Sequence, residues 1–161
     1  MKIVIACDSY KGCMTSSQVA QHIEKGIHMQ DSSIETVSYV IGDGGEGTVE
    51  AFHQTCNGVK QKVRATDAYG KPIETEYTLI DNGNTAVIEV ANIIGLSMHP
   101  RERRAPFYGS SFGVGTVLLD AVDKGCKKVI IGLGGSATND GGIGLLQSLG
   151  ARFYDGDHKY L

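Results

Sequence analysis

With 161 residues, 41% of them apolar and 20% charged, the chain has the size and composition of one globular domain or two small ones, which excludes a disordered, collagen-like or low-complexity protein. Fifteen Lys/Arg against eighteen Asp/Glu leave a net charge of -3, the wrong balance for neutralising a phosphate backbone, so no nucleic-acid partner is expected. The longest apolar runs, such as Ile3 to Ala6 and Val129 to Ile131, fall far short of the ~20 residues of a membrane helix, and Asp8 stops the first run before a secretory core forms. No membrane association and a cytoplasmic location are the expectation. Cys7, Cys13, Cys56 and Cys126 lack zinc-ligand spacing and read as reduced, mostly buried thiols. Glycine is the departure from the ordinary: 22 of 161 residues, about twice the usual ~7%.

Taken in chain order, Lys2 to Ala6 is a β-branched run that reads as a buried strand. Thr15 with Gln18 forms a capping-box pattern, and Val19, Ala20, Ile23 and Ile27 make one apolar helical stripe. Ile34 to Ile41 predicts a second strand, followed by a glycine-rich turn and a helix with Val49, Phe52 and Cys56 on one face, ended by Asn57-Gly58. Residues 1–58 thus read β-α-β-α, the N-terminal part of a Rossmann-like α/β domain with a parallel sheet and helices on both faces.

From Gly58 the pattern changes. Val59 to Thr66, Ile73 to Ile80 and Thr85 to Val90 are strands joined by Tyr69-Gly70-Lys71-Pro72 and Asp81-Asn82-Gly83-Asn84, an antiparallel meander. Phe112 to Asp123 is a helix with Val114, Val117, Leu118, Ala121 and Val122 inward, Lys128 to Leu133 a buried strand, and Leu145, Leu146 and Leu149 one face of a further helix. A last strand is predicted from Arg152 to Tyr154 with no closing element after it. Residues 59–161 therefore read as part of a second, mixed α/β module, and the architecture as incomplete.

Four segments concentrate the glycines: Asp8 to Gly12, Gly42 to Thr48, Gly109 to Gly115, and Gly132 to Gly144. The first, second and fourth follow predicted strands and precede predicted helices, where open α/β sheets bind ligands and where bare backbone lets N–H groups face an anion. Gly42, Gly47 and Thr48 imitate a P-loop but lack its lysine, which excludes a Walker A site. Gly42, Gly44 and Gly47 match a dinucleotide fingerprint, as do Gly132, Gly134 and Ala137, the latter with Asp155 at the position of a ribose-binding acid; an NAD-type oxidoreductase is the alternative enzyme reading. Against it, Asp43, Glu46 and Asp140 inside the loops repel a pyrophosphate unless a cation lies between. Metal-assisted phosphoryl transfer needs those residue types: Lys11 to neutralise phosphate, and Asp8, Asp43, Glu46 or Asp140 to handle a metal or orient a hydroxyl. Helix capping is the competing reading for Asp8, Asp43 and Asp140. The Arg101 to Arg104 run is either a solvated surface or an arginine fork for a substrate carboxylate or phosphate, and Ser110-Ser111 either donates hydroxyls to a ligand or caps a helix.

In this order the segments resemble the bacterial type 1 glycerate kinase family. Its A-P-D-S-F-K-G signature appears as Ala6-Cys7-Asp8-Ser9-Tyr10-Lys11-Gly12, its D-G-G-E-G-T as Asp43 to Thr48, its R-N-P and T-S-x-G-x-G segments approximately as Arg104-Ala105-Pro106 and Ser110 to Gly115, and its G-G-S-A-T-N-D-G-G intact from Gly134 to Gly142. The resemblance runs along the whole chain and corresponds to the N-terminal part of family members more than twice as long. It implies transfer of the ATP γ-phosphoryl group to a hydroxyl of D-glycerate, giving 2-phosphoglycerate, with Mg²⁺. It implies further that Lys11, Asp8, Asp43 and Asp140 are catalytic. Ser9, Gly44, Gly45, Glu46, Gly47, Ser111, Gly134, Gly135, Ser136, Thr138, Asn139 and Gly141 would bind substrate or nucleotide, and Arg104 the glycerate carboxylate. A non-catalytic ligand-binding remnant is the alternative outside enzymes. The 161-residue chain by itself is expected to show little or no kinase activity; a coupled ADP-release assay with D-glycerate checks this, and robust turnover would refute it.

Overall fold

The protein is described by a computed structural model covering residues 1–10 and 12–160. Strands β1 (Lys2–Cys7) and β2 (Glu35–Val40) pair in parallel with Ile5 opposite Ser38, and α1 (Ser16–Gln30) supplies the crossover that parallel neighbours require. The capping box closes α1: Gln18 N donates to Thr15 Oγ1 at 3.2 Å, and Thr15 N donates to Gln18 Oε1 at 2.9 Å. Val19 and Ala20 of the apolar stripe are buried, but Ile23 is 41% exposed. Two strands form a floor only about 10 Å wide, too narrow to cover the whole stripe.

Helix α2 (Thr48–Thr55) leads into a four-stranded sheet of β3 (Val59–Thr66), β4 (Pro72–Ile80), β5 (Thr85–Glu89) and β6 (Lys128–Gly132), in that order. The first three strands are antiparallel, whereas β5 and β6 run parallel with Val87 opposite Ile130. Asp67 shapes the β3–β4 turn by accepting from Tyr69 N and Lys71 N, each at 2.9 Å. The β4–β5 turn places Asn82 at φ 56, the left-handed conformation that asparagine tolerates. Between β5 and β6 lie the short α3 (Ala91–Ile94), a run of 3₁₀ turns, and α4 (Phe112–Asp123); α5 (Ile143–Ser148) follows β6. The result is an α/β fold with one parallel pair and one mixed sheet.

Every residue of β5 is buried, and its neighbours on both faces form the core. Tyr77, Ile88, Ile93, Ile94, Val114 and Val117 are each no more than 1% exposed. The Tyr77 hydroxyl donates to Asp120 Oδ2 at 2.8 Å, so the phenol is buried without an orphaned group.

Several sequence expectations are corrected. Val122, placed inward, is 51% exposed, and Leu146 and Leu149 are 45% and 40% exposed, because α4 and α5 pack on each other and the sheet along one side only. Arg152 to Tyr154 forms no strand: Tyr154 makes a lone antiparallel bridge to Tyr160, while Asp155 Oδ1 accepts from Asp157 N and Lys159 N in a tight turn. All four cysteines are free, and only Cys126 is buried. Among the described residues no helix is long and apolar enough to cross a membrane.

Ile88→Ala deletes buried methyl groups at the centre of β5, where close-packed neighbours cannot collapse into the void. A loss of about 2–5 kcal/mol is expected in urea unfolding with an unchanged m-value.

Candidate functional site

The carboxyl end of β2 runs into the Gly42–Gly47 loop, and that of β6 into the loop beginning at Gly132. These two loops meet backbone to backbone. Gly134 N donates to Gly44 O at 2.7 Å. A Cβ on Gly132 would sit 2.7 Å from Gly44 O, and one on Gly134 2.7 Å from Gly45 Cα, closer than real Cβ atoms approach. The sequence reading assigned these glycines to an anion cradle; their packing reason is this seam, which only bare backbone can form.

The Gly42–Gly47 loop also engages three of its own six backbone donors within the fold. Gly44 N donates to Thr48 Oγ1 at 3.0 Å and Gly45 N to Asp43 Oδ1 at 2.9 Å. Gly47 N and Val49 N donate to the two carboxylate oxygens of Glu89, at 3.2 and 3.0 Å. Glu89 is 1% exposed and reaches from the end of β5 to the start of α2, where a helix N-terminus favours negative charge. Burial pushes its carboxyl above the ordinary 4.5 and the nearby Glu46 charge adds to that, while the Val49 and Gly47 amides hold it back.

Asp140 holds the opposite side together. Its Oδ2 accepts from Ser111 N at 2.7 Å, Ser111 Oγ at 2.8 Å and Gly144 N at 3.1 Å, and its Oδ1 from Gly142 N at 3.1 Å. One carboxylate therefore joins the starts of α4 and α5. Ser111 Oγ completes the joint by accepting from Leu145 N at 2.9 Å. Burial acts upward on the Asp140 carboxyl, but the Ser111 amide and hydroxyl and the Gly144 and Gly142 amides outweigh it and hold the group below 3.8. The capping reading thus applies to Asp140. Asp43 instead closes a turn on Gly45 N, and Asp8 Oδ1 accepts from Ser9 N at 2.7 Å without capping α1.

Cavities open on either side of the seam. One, of about 250 Å³, is lined by Ser9, Thr15, Glu46 and Gly47 among others, and a neighbouring one of about 450 Å³ shares Thr15, Glu46 and Gly47 and adds Glu50, Glu76 and Glu89. The third, of about 440 Å³, has Ser111, Ser136, Thr138, Asn139, Asp140 and Gly141 in its wall. Gly44, Gly45 and Gly134 lie in the seam between, and Gly135 O accepts from Leu96 N. Asp8 and Asp43 are exposed and line none of these cavities. Arg104 is likewise apart, its Nε donating to His99 O at 3.1 Å. Lys11 lies outside the described residues.

The dinucleotide geometry is absent at Gly132 to Ala137. The chain turns at Gly134 and Gly135, Ser136 is bridged to Gly95, Ala137 N donates to Ile94 O, and α5 begins only at Ile143. A fingerprint cradle needs a helix N-terminus directly behind its glycines, and Asp155 sits in the turn described above rather than at a strand end. In the third glycine segment Gly113 packs against the Thr66 carbonyl of β3, while Ser111 lines a cavity.

Comparison with known proteins agrees with the loops that meet here: a family model described as the glycerate kinase family matches residues 3–161. The chain belongs to the glycerate kinase family. It is 44% identical over 155 residues to glycerate 2-kinase of Escherichia coli (strain K12), covering 96% of this chain and 41% of that protein. It is 42% identical over 150 residues to a glycerate kinase of Halalkalibacterium halodurans, covering 93% and 40%. A crystal structure assigned to a glycerate kinase 2 of Salmonella typhimurium LT2 superposes with a TM-score of 0.78 at 40% identity, covering all of this chain and 43% of that one. The chain thus spans about two fifths of the length of the family members it matches.

Within this family segment, Glu89 is the site residue that motif reading missed. Its signal was available: a lone carboxylate inside the apolar run Ala86-Val87-Ile88-Glu89-Val90-Ala91 must find buried donors or stay neutral. Its donors come from a loop about forty residues away, which no local pattern reveals.

The two carboxylates give opposite pH dependences. Asp140, held low, contributes stability that is present above its unfolded value and lost as pH falls through the folded one. Glu89, held high, favours folding in its neutral form, a contribution lost as pH rises through its raised value. In urea titrations across acid pH, Asp140→Asn is expected to cost about 1–3 kcal/mol near neutrality, through unpaired N–H groups, and to flatten the loss below about pH 4. An undiminished acid loss in that variant would exclude Asp140 as its source.

Proposed function

We propose that this chain carries the phosphoryl-transfer loops of a glycerate kinase that moves the ATP γ-phosphoryl group to a hydroxyl of D-glycerate, giving 2-phosphoglycerate and ADP in the cytoplasm. The observation that supports this most is the seam: the D-G-G-E-G-T and G-G-S-A-T-N-D-G-G segments, distant in sequence, hydrogen-bond to one another with cavities on both sides. A transfer enzyme must hold two reactants against each other, and a rigid double loop between two cavities suits that task.

Within this proposal the residues divide by what they already hold. Asp140, Ser111 and Glu89 have their polar atoms engaged and position the loops. Glu46 borders two adjoining cavities, and among the described residues no hydrogen bond engages its carboxylate or Asp43 Oδ2. Either can accept the proton of the attacking hydroxyl. Ser9 and Thr15 present hydroxyls to the same side for a small polyhydroxy acid. Lys11 is assigned to phosphate neutralisation and Arg104 to the glycerate carboxylate from the family motif, the latter requiring movement of the 99–108 segment toward the seam.

Among the described residues no three His, Cys, Asp or Glu side chains form a metal cage. A Mg²⁺ ion that arrives on nucleotide phosphates needs only one or two carboxylates, and Asp43 and Glu46 are hard oxygen donors of that kind. Bound there, the ion supplies charge neutralisation to the phosphates.

Asp43→Asn and Lys11→Ala, each placed in a family-length enzyme carrying this segment, are expected to lower turnover by about 100-fold or more with an unchanged circular dichroism spectrum. The coupled ADP-release assay with D-glycerate reads this, and near-normal turnover would overturn the assignment. Saturable NAD(H) fluorescence changes without ADP binding would overturn the kinase reading as a whole.

A further inference from the structure

Three features compete for a role beyond those above. In the acidic cavity three of the four carboxylates are partnered, Lys60 bridging Glu50 and Glu76 at 2.8 and 3.0 Å and Glu89 accepting from Gly47 and Val49, and Glu46 already belongs to the proposed site. The Asp67–His99 pair, 4.0 Å apart and beside Tyr69, fastens a surface loop and borders no cavity. The cavity beneath residues 136–142 carries more.

Its floor and sides are aliphatic: Val90 and Ile94 beyond the end of β5, Ile131 in β6, Val114 of α4, Leu145 of α5, and Leu133 at the mouth. Val90, Ile94 and Val114 are 4%, 1% and 1% exposed, so this surface is preformed by the core itself, whereas Leu133 is 74% exposed. At about 440 Å³ the space falls in the usual range for small-ligand pockets, and it lies outside the carboxyl ends of a parallel strand pair. Asp140, the one charged side chain in the lining, is fully engaged by Ser111, Gly142 and Gly144, and among the described residues no Lys or Arg reaches the wall. A phosphate or carboxylate meets no counter-charge from those residues here. A flat, uncharged, partly apolar group needs none, and Asn139 stands exposed at the rim with its amide bonded by none of the described residues. A side-chain amide offers a donor and an acceptor side by side, the pattern that matches the N6/N7 edge of adenine.

We propose that this cavity is the nucleobase subsite and takes the adenine ring of the phosphoryl donor between Leu133 and the aliphatic floor, with the Asn139 amide reading the N6/N7 edge. The phosphates then extend over the glycine seam toward Glu46 and Gly47, which leaves the cavities beyond it to glycerate. The assignment rests on the kinase reading and adds to it the half of the seam on which the nucleotide lies.

Photolabelling of the wild-type chain with 2-azido-ADP, followed by peptide mapping, tests it without any variant. Label is expected in the peptide that contains Leu133 to Leu145, protected by unlabelled ADP. Two surface variants give a second reading by calorimetry. Asn139→Ala should weaken ADP about fivefold or more and bring ADP and IDP to similar affinity, because hypoxanthine lacks the exocyclic amine. Leu133→Glu should weaken both nucleotides, and neither variant should alter D-glycerate affinity. Label confined to the Tyr10 to Gln18 region, or ADP affinity unchanged in both variants, overturns the subsite and leaves the kinase reading standing. Absence of saturable ADP binding also overturns the subsite, and the kinase reading falls with it if D-glycerate fails to bind as well.

Discussion

The close approach of two backbones at Gly44–Gly45 and Gly132–Gly134 is the constraint on which the functional half of the molecule depends. It joins the loop after β2 to the loop after β6, elements of different sheets, through one short hydrogen bond and a contact that no side chain can enter. The excess of glycine is therefore a steric requirement of one loop against another before it is a requirement of any ligand.

Two carboxylates then fix the loops to helices. Glu89 ties β5 to the start of α2, and Asp140 ties the starts of α4 and α5 to each other. Acidic residues in glycine loops invite a catalytic reading, yet these two have their oxygens committed to backbone N–H groups. Both carboxylates orient backbone in this structure. Glu46 and Asp43 Oδ2 differ in that, among the described residues, no hydrogen bond engages them. Counting hydrogen bonds separates positioning acids from available ones more sharply than sequence position does.

The seam also divides two environments. On the α1 side the cavities are lined by hydroxyls and carboxylates, with acid groups at Glu46, Glu50, Glu76 and Glu89. On the α4–α5 side the cavity is largely aliphatic and its single charge is stabilised by four donors. A polar small acid and a nucleobase differ in the same way, so under the proposed function the two sides of the seam would suit different reactants.

Much of the fold was legible from the residues. β-branched runs, the Thr15–Gln18 capping box and the Asn82-Gly83 turn located nearly every element, because each signal is local and acts within a few residues. The strand expected at Arg152 failed for want of a partner, since a strand exists only where another chain segment accepts its hydrogen bonds. The glycine loops and their acids were likewise visible as motifs, and the family follows from them. Their division of labour was not. Ser111 meets Asp140 and Leu145 across about 30 residues and Glu89 meets Val49 across about 40, whereas Arg104 bonds within its own loop to His99. The sequence by itself determined which backbone had to be bare and which segments had to carry charge. Only the tertiary structure decided which of those charges found donors, because that depends on the approach of loops from two different sheets.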